Sequence, residues 1–353
     1  MDLTILNTSF EAVAVIDTYE SFIWTDRYFE PGDFELYAAV SEKLLTTVRQ
    51  DYYIVNRSSE HVMIVENLRI NSDAEDGNHV TISGKSAESI LDRRIIWGRM
   101  MIRGNLQNGV KELLTASMIN PDDPDRKVDS LIFKDSTDPA ITNLSIEAQY
   151  TGDNLLEVIE KICKDNGIGF KITLNEANQF VFELYAGVDR SYGQMQHPFV
   201  VFSPNFENIM NSNYFESNSA LKNVTLIGGE GEGSARRYMT VGSGSGLNRR
   251  EIFTDARDIS SDVGEGETLT DAEYNALLEQ RGKEKLSEHV SVTSFDGQVE
   301  TSTTFVYGRD FFNGDIVQIA NEYGHETKAR VVEIIMSEAE SGQSVYPTFT
   351  TVA

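Results

Sequence analysis

Apolar and polar residues alternate with a period of two through most of the first 85 positions. Leu3, Ile5, Val13 and Val15 begin the pattern, and Phe22, Trp24 and Tyr28 continue it up to a turn at Pro31-Gly32-Asp33. Phe34 to Val40, DYYIVNR, HVMIVENLRI and HVTISGK follow. Each is short, rich in Val, Ile or Tyr, and bounded by Asn, Ser, Gly or Asp, as consecutive β-strands are. Strands at this regular spacing predict a sandwich or barrel.

The period changes near residue 86. Ser86 is the expected N-cap of a helix in SAESILDRRII, and GVKELLTASMI reads as a second helix. NPDDPDRKVD, residues 120–129, reads as an exposed loop. The clearest helical period is Leu155, Leu156, Val158, Ile159, Ile162, Cys163, with Asp153 expected as its cap and Asn166-Gly167 as its end. GFKITLN and QFVFELYAG then predict a hairpin, which makes this stretch a small α+β unit.

Strands resume after Pro198 with FVVF and LKNVTLIGG. GGEGEGS and GSGSG bracket RRYMTV, the pattern of a mobile hairpin or loop. TLTDAEYNALLEQRGKEKLSEH predicts a helix capped by Thr270 or Asp271, and four strands close the chain: VETSTTFVY, GDIVQIANE, KARVVEIIMS and VYPTFTTV. The expected fold is therefore α+β, mainly β. Residues 1–100 form a first β-barrel, 101–195 an α+β insertion, and 196–353 a second β-barrel with a loop and helix excursion at about 229–290.

An internal echo supports the pairing of barrels. SDAEDGNHVT, Ser72 to Thr81, matches SEAESGQSVY, Ser337 to Tyr346, at five of ten positions with a constant offset of 265. The flanking order of strand, turn, strand, acidic hairpin, strand corresponds as well, which predicts a duplicated barrel split by roughly two hundred residues of insertion.

Composition narrows the function. The 353 residues carry 30 Lys+Arg against 56 Asp+Glu, a net charge of -26, with no tight basic cluster, so a duplex nucleic-acid binder is disfavoured. A single Cys excludes a disulfide scaffold and a Cys-rich zinc site. The N-terminus has no basic n-region, and no apolar run is long enough to span a membrane, so assembly in a cytosol is expected.

Candidate chemistry is thin. His61, His79, His197, His289 and His325 are scattered among strand ends and turns without metal-ligand spacing, and each reads as a surface histidine. GGEGEGS at 228–234 lacks the Lys and Ser/Thr of a phosphate loop, and Glu230 and Glu232 would repel a phosphate, so it reads as a flexible turn. The acidic turn Asp73, Glu75, Asp76, Gly77 lacks the alternating ligands and distal Glu of a calcium loop. Trp24 and Trp97 read as core aromatics rather than a sugar platform, and Cys163 as buried filler. No catalytic, cofactor-binding or metal-ligating residue is assigned, and no cofactor is expected.

GRDFFNGDIVQIANEYGHETKARVVEIIMSEAESGQSVYPTFTTV, with Gly314-Asp315, Arg330-Val331 and Thr348 to Val352, resembles the closing barrel of bacteriophage tail-tip and baseplate hub proteins. SGKSAESILDRRIIWGRMMIRGN, with Gly84-Lys85-Ser86, Leu91 and Arg93-Arg94, is similar to the end of their first barrel, and LKNVTLIGGEGEGSARR to the entry into their second. The resemblance implies a structural, non-enzymatic homotrimeric ring in the virion. Two barrels per subunit would adapt a six-fold tail tube or distal tail protein to a three-fold tip. The ring would line or close the DNA channel. Implied partners are the chain itself, the distal tail or tube protein, the tape-measure protein and tip or fibre proteins, with DNA only in transit. Because the chain closes on a barrel strand, appended hydrolase or receptor-binding modules are expected on separate proteins. The competing expectation is a phage-associated cell-wall hydrolase or carbohydrate-binding β protein.

Overall fold

The computed structural model describes residues 2–73, 77–264, 267–299, 304–340 and 342–352. The first part holds β1 (Leu3–Leu6), β2 (Ala12–Ile16), β3 (Ser21–Arg27), β4 (Asp33–Ala39), the short helix α1 (Glu42–Thr47), β5 (Tyr53–Asn56), β6 (Val62–Asp73) and β7 (Gly77–Ser86). Alternation decides which side chains enter the core: Phe22, Trp24, Phe34 and Leu36 are buried while Ile23 and Glu35 between them face outward.

The middle comprises β8 (Arg99–Asn105), α2 (Leu106–Leu114), β9 (Leu131–Lys134), α3 (Pro139–Thr142), β10 (Ser145–Thr151), α4 (Leu155–Asn166), β11 (Gly169–Leu174) and β12 (Phe180–Tyr185). The rest holds β13 (Val201–Phe202), β14 (Ile209–Ser217), β15 (Val224–Gly228), β16 (Tyr238–Gly242), β17 (Glu251–Asp255), β18 (Asp262–Gly264), β19 (Glu267–Thr268), α5 (Asp271–Ser287), β20 (Val292–Val299), β21 (Ile316–Ala320), β22 (Glu326–Ala339) and β23 (Gly342–Thr351).

Two separate barrels are not what forms. Among the described residues eleven strands make one open sheet, β13-β21-β22-β3-β4-β7-β6-β5-β1-β2, with β23 also on β22, and no closed barrel is present. The physical reason is the long strand β22. Its second half, Glu333 to Ala339, pairs antiparallel with Arg27 to Ser21 of β3, joining the two ends of the chain through backbone hydrogen bonds. Beneath that seam Phe22, Trp24, Phe34 and Ile82 from one end share a single apolar core with Phe202, Val331, Ile334, Met336 and Phe349 from the other. Separating the ends would return all of that surface to water.

The middle has its own core, built on α2 and α4 and on Phe170, Ile172, Phe180 and Phe182, and it draws in Val62, Ile64, Ile90, Leu91 and Ile96 from the first segment. SAESILDRRII forms a 3₁₀ helix, Ala87–Arg93, rather than an α-helix. Ser86 makes no capping bond there; its hydroxyl accepts from the Gly32 amide at 2.7 Å. The cap of α4 is Asn154 and not Asp153. Asn154 Oδ1 accepts from the Leu156 and Glu157 amides, while the Asp153 carboxylate is occupied by the Thr151 amide. Gly167, at φ 65°, ends the helix in the left-handed conformation that glycine adopts without strain.

The excursion is a small layer of its own. β15 lies between β16 and β17, and α5 packs on it through Tyr274, Leu277 and Leu278. Thr270 and Glu273 close a capping box at the start of α5. GGEGEGS is the pinned turn of the β15–β16 hairpin. Arg236 donates to the Gly228 and Gly229 carbonyls, and Tyr274 Oη accepts from the Glu230 amide.

Candidate functional site

Sequence reasoning offered histidines, an acidic turn and a glycine loop as possible chemistry, and the fold does not gather them. His79 pairs with Glu20 at 2.9 Å and stacks on Tyr37; His325 stacks on Tyr214; His289 lies against the Lys285 carbonyl. Glu75 and Asp76 of the acidic turn lie outside the described residues. Among the described residues no group of three or more His, Cys, Asp or Glu is placed to hold a metal ion, and no helix is long and apolar enough to cross a membrane. Cys163 is buried, and burial pushes its thiol well above the ordinary range.

Two readings from sequence require correction. Trp97 is 56% exposed, with the Arg126 guanidinium over its ring at 4.3 Å, whereas Trp24 is fully buried. His61 is not a surface residue. It is buried with its Nδ1 2.8 Å from Glu88 Oε1, and Glu88 in turn accepts from the Ile172 amide at 2.7 Å. Asp26, also buried, accepts from Trp24 Nε1 and from the Ser59 hydroxyl. Burial alone would lower the His61 pKa, but the Glu88 and Asp26 carboxylates outweigh it and push it up to about 9. This charged node joins the first strands to the middle segment. Its sequence signal, one His between strands and one Glu after Ser86, was too weak to find.

A second node sits where all three parts of the chain meet. The Tyr28 hydroxyl reaches the Gly167 and Tyr185 carbonyls at 3.3 Å and accepts from the Gly187 amide at 3.1 Å. Its ring lies under the Arg330 guanidinium. Gly314, at φ 94°, leaves room for that ring: a Cβ there would fall 2.2 Å from it. Asp315, buried, accepts from the Val188 and Phe312 amides at 2.7 and 3.0 Å and from Arg190 Nε at 2.6 Å. The Gly314-Asp315 pair is thus a structural pin. Asp315→Asn keeps the shape but loses the charge that holds Arg190, so thermal unfolding should show a loss of roughly 2 kcal/mol.

What the fold does bring together is the repeated hairpin. β7 runs Gly77–Ser86 and β23 runs Gly342–Thr351, so the offset of 265 holds at both ends. In each hairpin the first strand carries one bulge, at Glu66 in β6 and at Val332 in β22, an offset of 266 rather than 265, and in both it lies seven positions before the strand ends, at Asp73 and Ala339. β5 and β21 lie antiparallel along the starts of β6 and β22. Bulges are placed by backbone geometry, not by the side chains that made the sequence echo, so the two agreements are separate observations. What the described residues repeat is therefore a strand hairpin with its neighbouring strand.

Solved structures with a similar fold include phage tail proteins. The tail protein from Neisseria meningitidis MC58 is 11% identical with a TM-score of 0.58, over 99% of this chain and 96% of that one. The 43 kDa tail protein of prophage MuSo2 from Shewanella oneidensis is 12% identical with a TM-score of 0.56, over 100% and 98%. Prophage tail protein gp18 from Listeria monocytogenes EGD-e is 11% identical with a TM-score of 0.54, over 100% and 95%. At such identities the likeness is one of fold. No curated protein sequence matches the chain. The model of one sequence family, described as Siphovirus ReqiPepy6 Gp37-like protein, matches residues 2–349, and the chain belongs to that family.

Proposed function

We propose that the chain is the structural hub of a phage tail tip or baseplate, a homotrimeric ring that adapts a six-fold tail tube or distal tail protein to a three-fold tip. The observation that carries this reading is the repeated hairpin with its matched bulges. A closed ring of three can present six similar units only if each chain carries the unit twice. Residues 1–100 and 196–353 would supply the two units, and 101–195 would be the α+β module between them. The tape-measure protein and tip or fibre proteins would be further partners, and the chain itself would have a structural rather than a catalytic role.

The ring would line or close the channel through which DNA leaves. Three chains bring three times the net charge of -26. Acidic side chains facing a lumen repel phosphates over a Debye length of about 8–10 Å, so DNA would pass without sticking. A surface map of the assembled ring with acids confined to its outside, around a neutral or basic channel, would contradict this part of the proposal.

Oligomeric state is the direct test. Mass photometry is expected to give a species near three times 39.5 kDa. A monomer that persists when the distal tail protein is added would contradict the hub reading.

A further inference from the structure

The excursion layer has two faces, and α5 covers one of them. β15 is the middle strand, with Leu226 opposite Thr240 of β16 and Phe253 of β17, and Gly228 opposite Tyr238 and Asp255. Ile227 and Val241, one position further along their strands, point the other way and pack beneath Tyr274, Leu277 and Leu278. Alternation therefore turns Leu226, Tyr238 and Phe253 outward, where they are 44%, 55% and 50% exposed.

The outer face is held in place by Arg236. Its guanidinium lies over Gly228, where a Cβ would fall 2.6 Å from Nη2. It donates to the Gly228 and Gly229 carbonyls and, at 2.7 Å, to the Asp255 carboxylate. From there it is 5.7 Å from the centre of the Tyr238 ring and 5.5 Å from that of Phe253, within range of cation–π attraction to both. Two aromatic rings and a leucine thus stand on paired strands around a fixed guanidinium.

Charge, size and chemistry select the ligand. The acids of this face are matched by arginines, Asp255 by Arg236 and Arg257 and Glu251 by Arg249, on a chain whose net charge is -26. A polyanion is repelled by the chain as a whole and finds Arg236 already engaged. Five-residue strands three abreast offer a face of roughly 10 by 17 Å. That is far below the about 800 Å² that each partner gives to a stable protein interface. Aromatic faces carry negative charge density and attract the weakly positive C–H groups of a partner. Beside them Thr240, Asp255 and Arg257 supply groups that hydrogen-bond hydroxyls. An uncharged, narrow ligand that carries both C–H faces and hydroxyls is a pyranose chain.

We propose that the outer face of the β16-β15-β17 layer binds a neutral hexopyranose chain, as a cell-surface polysaccharide presents, stacked on Tyr238 and Phe253. The assignment is one of binding and rests on neither the trimer nor the channel.

Isothermal titration calorimetry of the full chain with maltohexaose, cellohexaose, chitohexaose and mannohexaose tests it. At least one is expected to bind. Tyr238→Ala and Phe253→Ala are each expected to weaken that binding about tenfold or more and, since both side chains are exposed, to keep the wild-type melting curve. Phe253→Tyr retains the ring and is expected to retain binding. No heat with any of the four, or binding that neither alanine variant weakens, overturns the proposal. A heparin hexasaccharide that binds this face more tightly than the neutral sugars also overturns it, because the site would then be one for anions. Alanine variants that lose self-association in mass photometry would show the face covered by a second copy, which overturns the sugar site and spares the trimeric reading.

Discussion

A chain lacking its last six residues is expected to aggregate or to lose its cooperative thermal transition. Those residues begin at Thr348, and four of them, Thr348 to Thr351, lie in β23 against Glu333, Val331, Arg330 and Ala329. Phe349 is only 4% exposed, and its ring centroid is 5.2 Å from that of Phe202, inside the core that both ends of the chain share. Its loss alone, as Phe349→Ala, should cost about 3–5 kcal/mol. Deleting the segment also strips ladder hydrogen bonds from the first half of β22 and opens an edge beside a wet apolar core. Differential scanning calorimetry with light scattering checks both variants. An unchanged melting curve for the deletion would show that the terminal strand is peripheral.

His61→Ala is expected to destabilise the fold by about 3–5 kcal/mol, because it leaves the buried Glu88 carboxylate without its counter-charge. His61→Leu with Glu88→Met removes both charges at similar volume and should recover most of that loss. The pH dependence has a definite sign. The folded-state pKa of His61 is pushed up to about 9 from an ordinary 6.5. The stability contributed by the charged imidazole is therefore complete below pH 6.5 and lost as pH rises through about 9. Chemical denaturation between pH 6 and 10 should show this fall in the native protein and a smaller one in the double variant. Equal slopes in the two would contradict the assignment of the charge to His61.

Much of the fold was legible in the sequence for local reasons. β4 and the first half of β3 alternate buried and exposed positions, the period of α4 matches its buried face, and the Thr270 capping box marks the start of α5. The echo at 72–81 and 337–346 was legible because both hairpins keep the same acidic, glycine-containing turn. What sequence could not supply was long-range pairing. Nothing in VVEIIMS or in SFIWTDR says that β22 pairs with β3 across three hundred residues, so a joined sheet looked like two barrels. The His61–Glu88 pair was hidden for the same reason. Each residue alone is an ordinary polar position, and only the placing of the 3₁₀ helix against β6 and β11 makes a buried charge of them.

The seam between β3 and β22 also bears on assembly. It joins the two ends of one chain through strand edges, and the hub reading requires whole chains to associate as well. Electron-microscopy class averages of the purified protein test this most directly. A closed ring with three-fold symmetry and six similar peripheral lobes is the predicted result. Particles that stay single chains when the distal tail protein is added, or rings whose symmetry is not three-fold, would contradict it.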